Sequence, residues 1–263
     1  VDFESLDPSS TEPILMSRQR LLLVACRVFE RELEVLARTA KTELQLHYIE
    51  IALHQQPGAQ LRAALQEEIN TVPEADYDAV ALGYGLCNRG LVGLKAHGLP
   101  VVIPRAHDCL GILLGSSQRY LAELEKQPGT YFQSCGWIEH LPADRTLRPL
   151  AAGEGLSLNQ EELVARYGEE SAQFLMAEYA KFTQHYKRLA FIATPVAKAD
   201  ERERKAAEIA QQQGWTFERL PGDLTWLQRL VDGEWNDKDF LVLKPHEKVA
   251  LSYGDGLISA EPA

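Results

Sequence analysis

The chain has 263 residues, of which 45% are hydrophobic and 25% charged, a composition typical of globular proteins with a real core. Its formal net charge of −11 argues against general nucleic-acid binding, because an acidic protein repels the phosphate backbone. No apolar run approaches the ~20 residues of a membrane-spanning helix, and no basic amphipathic stretch favours an anionic membrane surface.

The first 19 residues are polar and acidic and contain Pro8 and Pro13. They lack the charged start and apolar middle of a signal peptide, so we expect a flexible leader and a cytoplasmic protein. The four cysteines should then be reduced thiols, which serve as core fillers, metal ligands or nucleophiles.

From residue 20 the chain alternates short apolar runs with helical patterns. Strands are predicted at 21–26, 43–53, 77–82, 99–103 and 130–138, and helices at 29–39, 59–70, just before His97, and at 109–127. This strand–helix alternation is typical of βαβ units, which build a parallel sheet with helices on both faces.

A polar break at 141–158 is followed by one or two amphipathic helices within 160–187. Further strands are predicted at 189–194, 215–220 and 240–243, and helices at 200–213 and 224–232. We therefore expect an α/β protein with two Rossmann-like lobes, mainly parallel sheets and three α/β/α layers. The expected parts are a leader (1–19), a first lobe with the cysteine site (20–140), a helical connection (141–187) and a smaller α/β lobe (188–263).

Each of the first four predicted strands is followed, at its carboxyl end, by a residue whose side chain can act as a ligand or a catalyst. In strand order these are Cys26, then His54, then a loop with Tyr84 and Cys87, then a segment with Arg105, His107, Asp108 and Cys109. Ligands of open α/β sheets bind beyond the carboxyl ends of the strands, so we expect these residues to share one crevice.

Cys26, Cys87 and Cys109 are the predicted metal ligands. Three thiolates suit Zn²⁺ or a [4Fe–4S] cluster, and a three-cysteine site leaves one coordination position open for chemistry. Two alternatives remain: the cysteines are buried packing residues, or Cys109 is a nucleophile whose pKa is lowered at a helix start, with His107 or His54 as its base.

The loop GYGLCNRG predicts either a backbone cradle for an anionic ligand, with Tyr84 and Gly85 binding substrate, or a tight strand-to-helix turn. Arg105 would clamp a carboxylate or phosphate, or make a structural ion pair. His54, His107 and Arg105 are the candidate catalytic residues.

Three other residues near this edge have weaker assignments. Asp108 is a metal or second-layer ligand or, preferably, a helix N-cap. Cys135, on the predicted fifth strand, is a weaker ligand candidate. Trp137 forms a crevice wall or, preferably, part of the core.

The segments LLLVACRVFERELE, YGLCNRGLVGL, IPRAHDCLGILLGS and PGTYFQSCGW resemble the uncharacterised family known as domain of unknown function 1638. The similarity extends from about residue 21 to about residue 243. It implies an association with corrinoid-dependent methyl-transfer proteins and hence with one-carbon metabolism. Cys135 departs from the threonine-like residue of the family, and His246 stands where relatives tend to have glycine.

Three functions follow as hypotheses. The first is a zinc or iron–sulfur enzyme of methyl-transfer metabolism, a transferase or lyase acting on a small anionic substrate. The second is a non-catalytic corrinoid or metal carrier that assists a methyltransferase. The third is a metal-free domain that binds a small molecule.

Overall fold

The structure is a computed structural model that describes residues 18–51, 53, 57–87, 89–140, 160–183, 185–196, 201–252 and 256–263. Most of the expected leader, His54 and the polar break at 141–158 lie outside the described residues.

Strands and helices alternate along the described chain. The strands are β1 (Arg20–Cys26), β2 (Glu43–Ile49), β3 (Ala79–Gly83), β4 (Val101–Pro104), β5 (Thr130–Ser134), β6 (Arg188–Ala193), β7 (Thr216–Pro221), β8 (Phe240–Leu243), β9 (Glu247–Leu251) and β10 (Ile258–Pro262). The helices are α1 (Glu30–Leu36), α2 (Gly58–Thr71), α3 (Cys109–Leu113), α4 (Ser117–Lys126), α5 (Cys135–His140), α6 (Gln160–Tyr167), α7 (Glu169–Thr183), α8 (Glu201–Gln213) and α9 (Thr225–Asp232).

The first sheet has the strand order β2-β1-β3-β4-β8. Strands β2, β1, β3 and β4 are parallel, and β8 runs antiparallel to β4. Every residue of β3 and β4, and β1 from Leu21 onward, is buried, which explains their continuous apolar runs. The expected mixed α/β fold with parallel sheets, consistent with three α/β/α layers, is confirmed.

A second sheet contains β5, β6 and β7, all parallel. The strand pairing therefore differs from the expected grouping in two places. Strand β5 pairs with β6 instead of extending the first sheet, and β8 joins the first sheet instead of the later strands. Both pairings join segments far apart in sequence, which local patterns do not specify. The division into two lobes stays a prediction.

Several local elements also differ from the sequence expectations. The helix expected at 109–127 divides into α3 and α4 because Gly115 adopts a φ of 73° and the Ser116 hydroxyl caps α4 by accepting a bond from the Arg119 N–H. The segment 91–97 forms turns instead of the short expected helix. The β9–β10 hairpin was not predicted.

Two backbone features concern residues singled out by the family resemblance. Cys135 opens α5 and is not part of a strand, because β5 ends at Ser134. His246 has a φ of 69°, in the left-handed region that favours glycine, which explains why glycine suits this position. Among the described residues, no helix combines the length and apolarity needed to cross a bilayer.

Arg188 holds the second sheet to the helix before it. Its side chain is 1% exposed and donates hydrogen bonds to Thr130 Oγ1 (2.9 Å), Glu218 Oε2 (2.7 Å) and Glu123 Oε2 (2.8 Å). Removing one side of a buried ion pair leaves the other partners without their counter-charge.

We predict that Arg188→Ala lowers the free energy of unfolding by about 3 kcal/mol. The matched control is Arg204→Ala, since the Arg204 side chain is 70% exposed and its ion pair with Glu208, one helical turn away, has a distance of 3.7 Å. Urea unfolding should show a change within about 0.5 kcal/mol for that control. Equal effects of the two variants would contradict the buried role of Arg188.

Candidate functional site

Three cysteines from different parts of the chain meet at the carboxyl edge of the first sheet. Cys26 ends β1, Cys87 lies in the loop after β3, and Cys109 opens α3 after β4. Their exposed fractions are 0%, 7% and 1%. They are close enough that Cys26 raises the pKa of Cys87, and both raise the pKa of Cys109, although burial is the larger cause in each case.

Close contact between two backbone segments places Cys87 beside Cys109. A Cβ on Gly85 would lie 2.6 Å from the Cα and 2.7 Å from the N of Asp108, so no larger residue fits there. The N–H of Leu86 donates to the Ala106 carbonyl (2.8 Å), and the N–H of Cys87 donates to the His107 carbonyl (3.0 Å). The YGLC loop is thus held by backbone hydrogen bonds to the segment that leads into α3.

A second glycine, Gly136, allows the start of α5 to pack beside the cysteine site. A Cβ on Gly136 would lie 2.0 Å from the Val28 carbonyl oxygen, so the start of α5 packs directly against the turn that follows Cys26. This contact brings Trp137 to the site, where it lies near Cys109 and lowers the pKa of that thiol.

Backbone N–H groups donate to two of the sulfurs, that of Val28 to Cys26 and those of Gly85 and Cys109 to Cys87. Tyr84 lies beside Cys26 and Trp137 beside Cys109, and each lowers the pKa of its neighbouring thiol. Burial dominates nevertheless and raises the pKa of Cys26 to about 12. Such donors stabilise a thiolate over a thiol and so oppose the effect of burial.

Tyr84 lies inside this group with a fully buried side chain. Burial raises the pKa of its phenol strongly, and the three neighbouring cysteines raise it further. The hydroxyl therefore stays protonated at neutral pH. The N–H of Gly85 is already bonded to Cys87, so the structure uses this glycine to organise the thiols, while its substrate role stays a prediction.

Asp108 is the N-cap of α3, in agreement with the preferred interpretation of the sequence. Its Oδ1 accepts bonds from the N–H groups of Leu110 and Gly111, both at 3.0 Å, and its Oδ2 accepts from the Tyr120 hydroxyl at 2.9 Å. Burial raises the pKa of this carboxyl group. Asp108 also lies near Cys87 and raises the pKa of that thiol.

Arg105 is engaged with the C-terminal part of the chain. Its guanidinium donates to the carbonyl oxygens of Asp237 (2.9 Å), Phe240 (3.2 Å), Gly256 (3.0 Å) and Ile258. These bonds tie the end of β4 to β8 and β10. Burial lowers the pKa of Arg105. The expected anion clamp stays a prediction.

The structure describes one of the two candidate histidines, His107. The ring of His107 is half-buried, with its centroid 6.2 Å from that of Tyr120, and its carbonyl holds the Cys87 N–H. His107 is therefore next to the thiols in the fold. His54 lies outside the described residues.

The nucleophile hypothesis for Cys109 required a lowered pKa, and the structure gives the opposite direction. Burial raises the pKa of Cys109 well above the usual value for a thiol, and α3 is a helix of only five residues. A neutral, buried thiol is a poor nucleophile, because the thiolate is the reactive form.

The three thiols are suitable ligands for a soft metal, but they are not arranged as a complete coordination site. Among the described residues, no group of three His, Cys, Asp or Glu side chains is arranged to hold a metal ion. Sulfurs that share one zinc lie within about 4 Å of one another, given Zn–S bonds of about 2.3 Å. Ligation of one metal ion by all three thiols would therefore require a rearrangement of this site.

Sequence reasoning missed part of the surroundings of the three sulfurs. Trp137 was assigned to the core or a crevice wall, and Gly136 and Val28 had no assigned role. The Cys-Gly-Trp run directly after a strand end was the available signal, since a glycine at a strand end often marks close approach of another backbone.

A family model described as a protein of unknown function, DUF1638, matches residues 48–231. The matched residues include Cys87, Cys109 and Cys135, whereas Cys26 precedes them, so the match is shorter at both ends than the resemblance seen in the sequence. Neither the curated proteins nor the solved structures contain a match.

The thiol environment gives a first prediction for this site. At pH 8 the folded, metal-free protein should react with iodoacetamide far more slowly than the same protein in denaturant, because burial keeps Cys26, Cys87 and Cys109 protonated. Mass spectrometry of alkylated peptides would measure this. Rapid labelling of Cys109 alone in the folded protein would restore the nucleophile hypothesis.

The glycine contact gives a second prediction. Gly85→Ala should lower the free energy of unfolding by about 2 kcal/mol, because the new methyl group would overlap the Asp108 backbone. Gly111→Ala is the control, since its Cβ would meet Tyr120 at an ordinary 3.8 Å within a helix. Thermal unfolding should leave the control near wild type, and an unaffected Gly85→Ala would show that the two segments are separable.

Proposed function

The chain belongs to the DUF1638 family, which has no assigned activity, and we propose that it is a metal-binding protein. Cys26, Cys87 and Cys109 would hold zinc or a [4Fe–4S] cluster. The proposal extends to an enzyme of one-carbon or methyl-transfer metabolism that acts on a small anionic substrate.

The hydrogen bonds at the sulfurs are the observation that supports the metal. Thiols that serve only as packing need no donors, whereas thiolate ligands are stabilised by N–H and O–H groups around the metal. Here backbone N–H groups donate to Cys26 and Cys87, and the buried Tyr84 and Trp137 lower the pKa of Cys26 and Cys109. A metal would supply the positive charge that this buried group needs in its thiolate form.

The chemistry at such a site would depend on the metal. Zinc would act as a Lewis acid or keep a bound thiol deprotonated. The chain's own contributions are then Tyr84, which lies beside Cys26 and lowers the pKa of that thiol, and the half-buried His107, whose backbone adjoins the thiols and whose imidazole would move a proton. The methyl-transfer context rests on the family resemblance.

A carrier role for the same site remains the alternative, with a metal or corrinoid held for a methyltransferase partner. The metal-free hypothesis has a specific observation in its favour, since the described thiols are not arranged as a ligand set. In that case the three cysteines and Tyr84 would form the packed floor of a pocket for a small molecule.

The decisive experiment is the metal and acid-labile sulfide content of protein purified without oxygen. We expect near-stoichiometric zinc, or iron with sulfide, in the wild type and its loss in Cys87→Ala. Cys135→Ala is the matched control, because it removes another buried thiol that is 2% exposed but lies in a separate hydrophobic cluster.

The two variants distinguish a metal site from a folding defect. Loss of metal only in Cys87→Ala supports the proposal, and iron with sulfide would select the cluster over zinc. Wild-type protein without metal after reconstitution with either zinc or iron and sulfide would overturn it and leave the metal-free hypothesis.

A further inference from the structure

Tyr120 of α4 packs beside the segment that leads into α3 and the cysteine site. Its hydroxyl donates to Asp108 Oδ2 at 2.9 Å. Its ring centroid lies 5.4 Å from that of Phe132 and 6.2 Å from that of His107. Because Phe132 is a buried residue of β5, the tyrosine ring is held between the second sheet and the segment that precedes α3.

Asp108 connects this tyrosine to the start of α3. Its Oδ1 accepts hydrogen bonds from the N–H groups of Leu110 and Gly111, both at 3.0 Å, while its Oδ2 accepts the bond from Tyr120. Three bonds to two oxygens fix the plane of the carboxyl group, whose terminal torsion otherwise has a broad minimum. The carboxyl group is therefore held from two sides, by the helix that it caps and by α4.

The start of α3 in turn places two sulfurs. Cys109 is the first residue of the helix, and its backbone N–H donates to the sulfur of Cys87. The backbone of Asp108 also lies against Gly85, two residues before Cys87. A shift of Asp108 would thus move Cys109, the N–H that bonds the Cys87 sulfur, and the backbone against which the YGLC loop packs.

We propose that Tyr120 is a positioning residue of the cysteine site, which acts through Asp108 on the placement of the Cys87 and Cys109 thiols. This placement concerns the protein without metal. Its consequence for metal affinity rests on the proposed function, since partners that orient metal ligands from outside typically contribute about 10- to 100-fold to affinity. Cys26 ends β1 and is placed by that strand, so the effect on it is smaller.

Tyr120→Phe tests this role, because it removes the hydroxyl and retains the ring that packs against Phe132. Tyr77→Phe is the matched control. It removes a hydroxyl that donates to the Gln45 side chain, from a partly buried tyrosine. Since Tyr77 precedes β3 in the chain, it lies at the opposite edge of the first sheet from the cysteines.

The first measurement uses protein without metal. Iodoacetamide labelling of the folded protein, followed by mass spectrometry of the peptides, gives a separate rate for each cysteine. We expect Cys87 and Cys109 to react about fivefold faster in Tyr120→Phe than in wild type, the effect of one lost hydrogen bond on local opening, with Cys135 unchanged. A general loss of stability would instead raise the rates of all cysteines together. The Tyr77→Phe control should match wild type.

The second measurement uses Co²⁺ alone, because its bonds to thiolates give an ultraviolet charge-transfer band that reports ligation by sulfur. Tyr120→Phe should bind Co²⁺ about tenfold more weakly than wild type, and Tyr77→Phe within about twofold. Adding Asp108→Ala tests the path of the effect, since Tyr120→Phe should change little in a protein that already lacks the carboxyl group. If Asp108→Ala does not fold, the labelling rates of Tyr120→Phe decide.

The labelling rates separate this role from the metal proposal. If Cys87 and Cys109 react in Tyr120→Phe as in wild type, or gain no more than Cys135, Tyr120 does not position the thiols and the inference is overturned. Selective labelling in Tyr120→Phe together with a wild type that binds no Co²⁺ would support the positioning role and remove the metal function. Co²⁺ binding by the wild type, with Tyr120→Phe unchanged in both measurements, would do the reverse.

Discussion

The contact of Gly85 with the Asp108 backbone is the constraint on which the cysteine site depends. It lets the loop after β3 lie flat against the segment after β4, where N–H groups of one strand end bond to carbonyls of the other. Cys87 and Cys109 become neighbours only through this approach. Because the contact is between two backbone segments, neither can move far enough to accommodate a larger residue at position 85. The placement of Cys87 and Cys109 therefore depends on the absence of a side chain at Gly85.

Two opposing effects act on the thiols once they are assembled. Burial favours the neutral form and raises the pKa of all three, whereas the surrounding N–H and O–H donors favour the thiolate. In the protein without a metal, burial is the larger effect. A bound cation would reverse that balance, because it supplies the charge that desolvation otherwise penalises. The donors are then already in place, which is the physical basis of the metal proposal.

Two short helices pack beside the cysteine site. Helix α1 follows the turn after Cys26, while α5 carries Trp137, which lies near Cys109, and Glu139, which pairs with Arg31 of α1. The contact of Gly136 with Val28 fixes the start of α5 against the turn that leads into α1.

The sequence by itself determined the strand–helix alternation, the parallel central strands and the meeting of Cys26, Cys87 and Cys109 at one sheet edge, because apolar periodicity and strand direction are local properties. Residue type also indicated the cap at Asp108. Only the tertiary structure decided that β5 pairs with β6, that β8 joins β4 in the antiparallel sense, and that Arg105 binds carbonyl oxygens of the C-terminal segment. Likewise, only the tertiary structure shows that Glu32 is buried. Its burial against Thr194 depends on contacts between segments 162 residues apart, which no local pattern encodes.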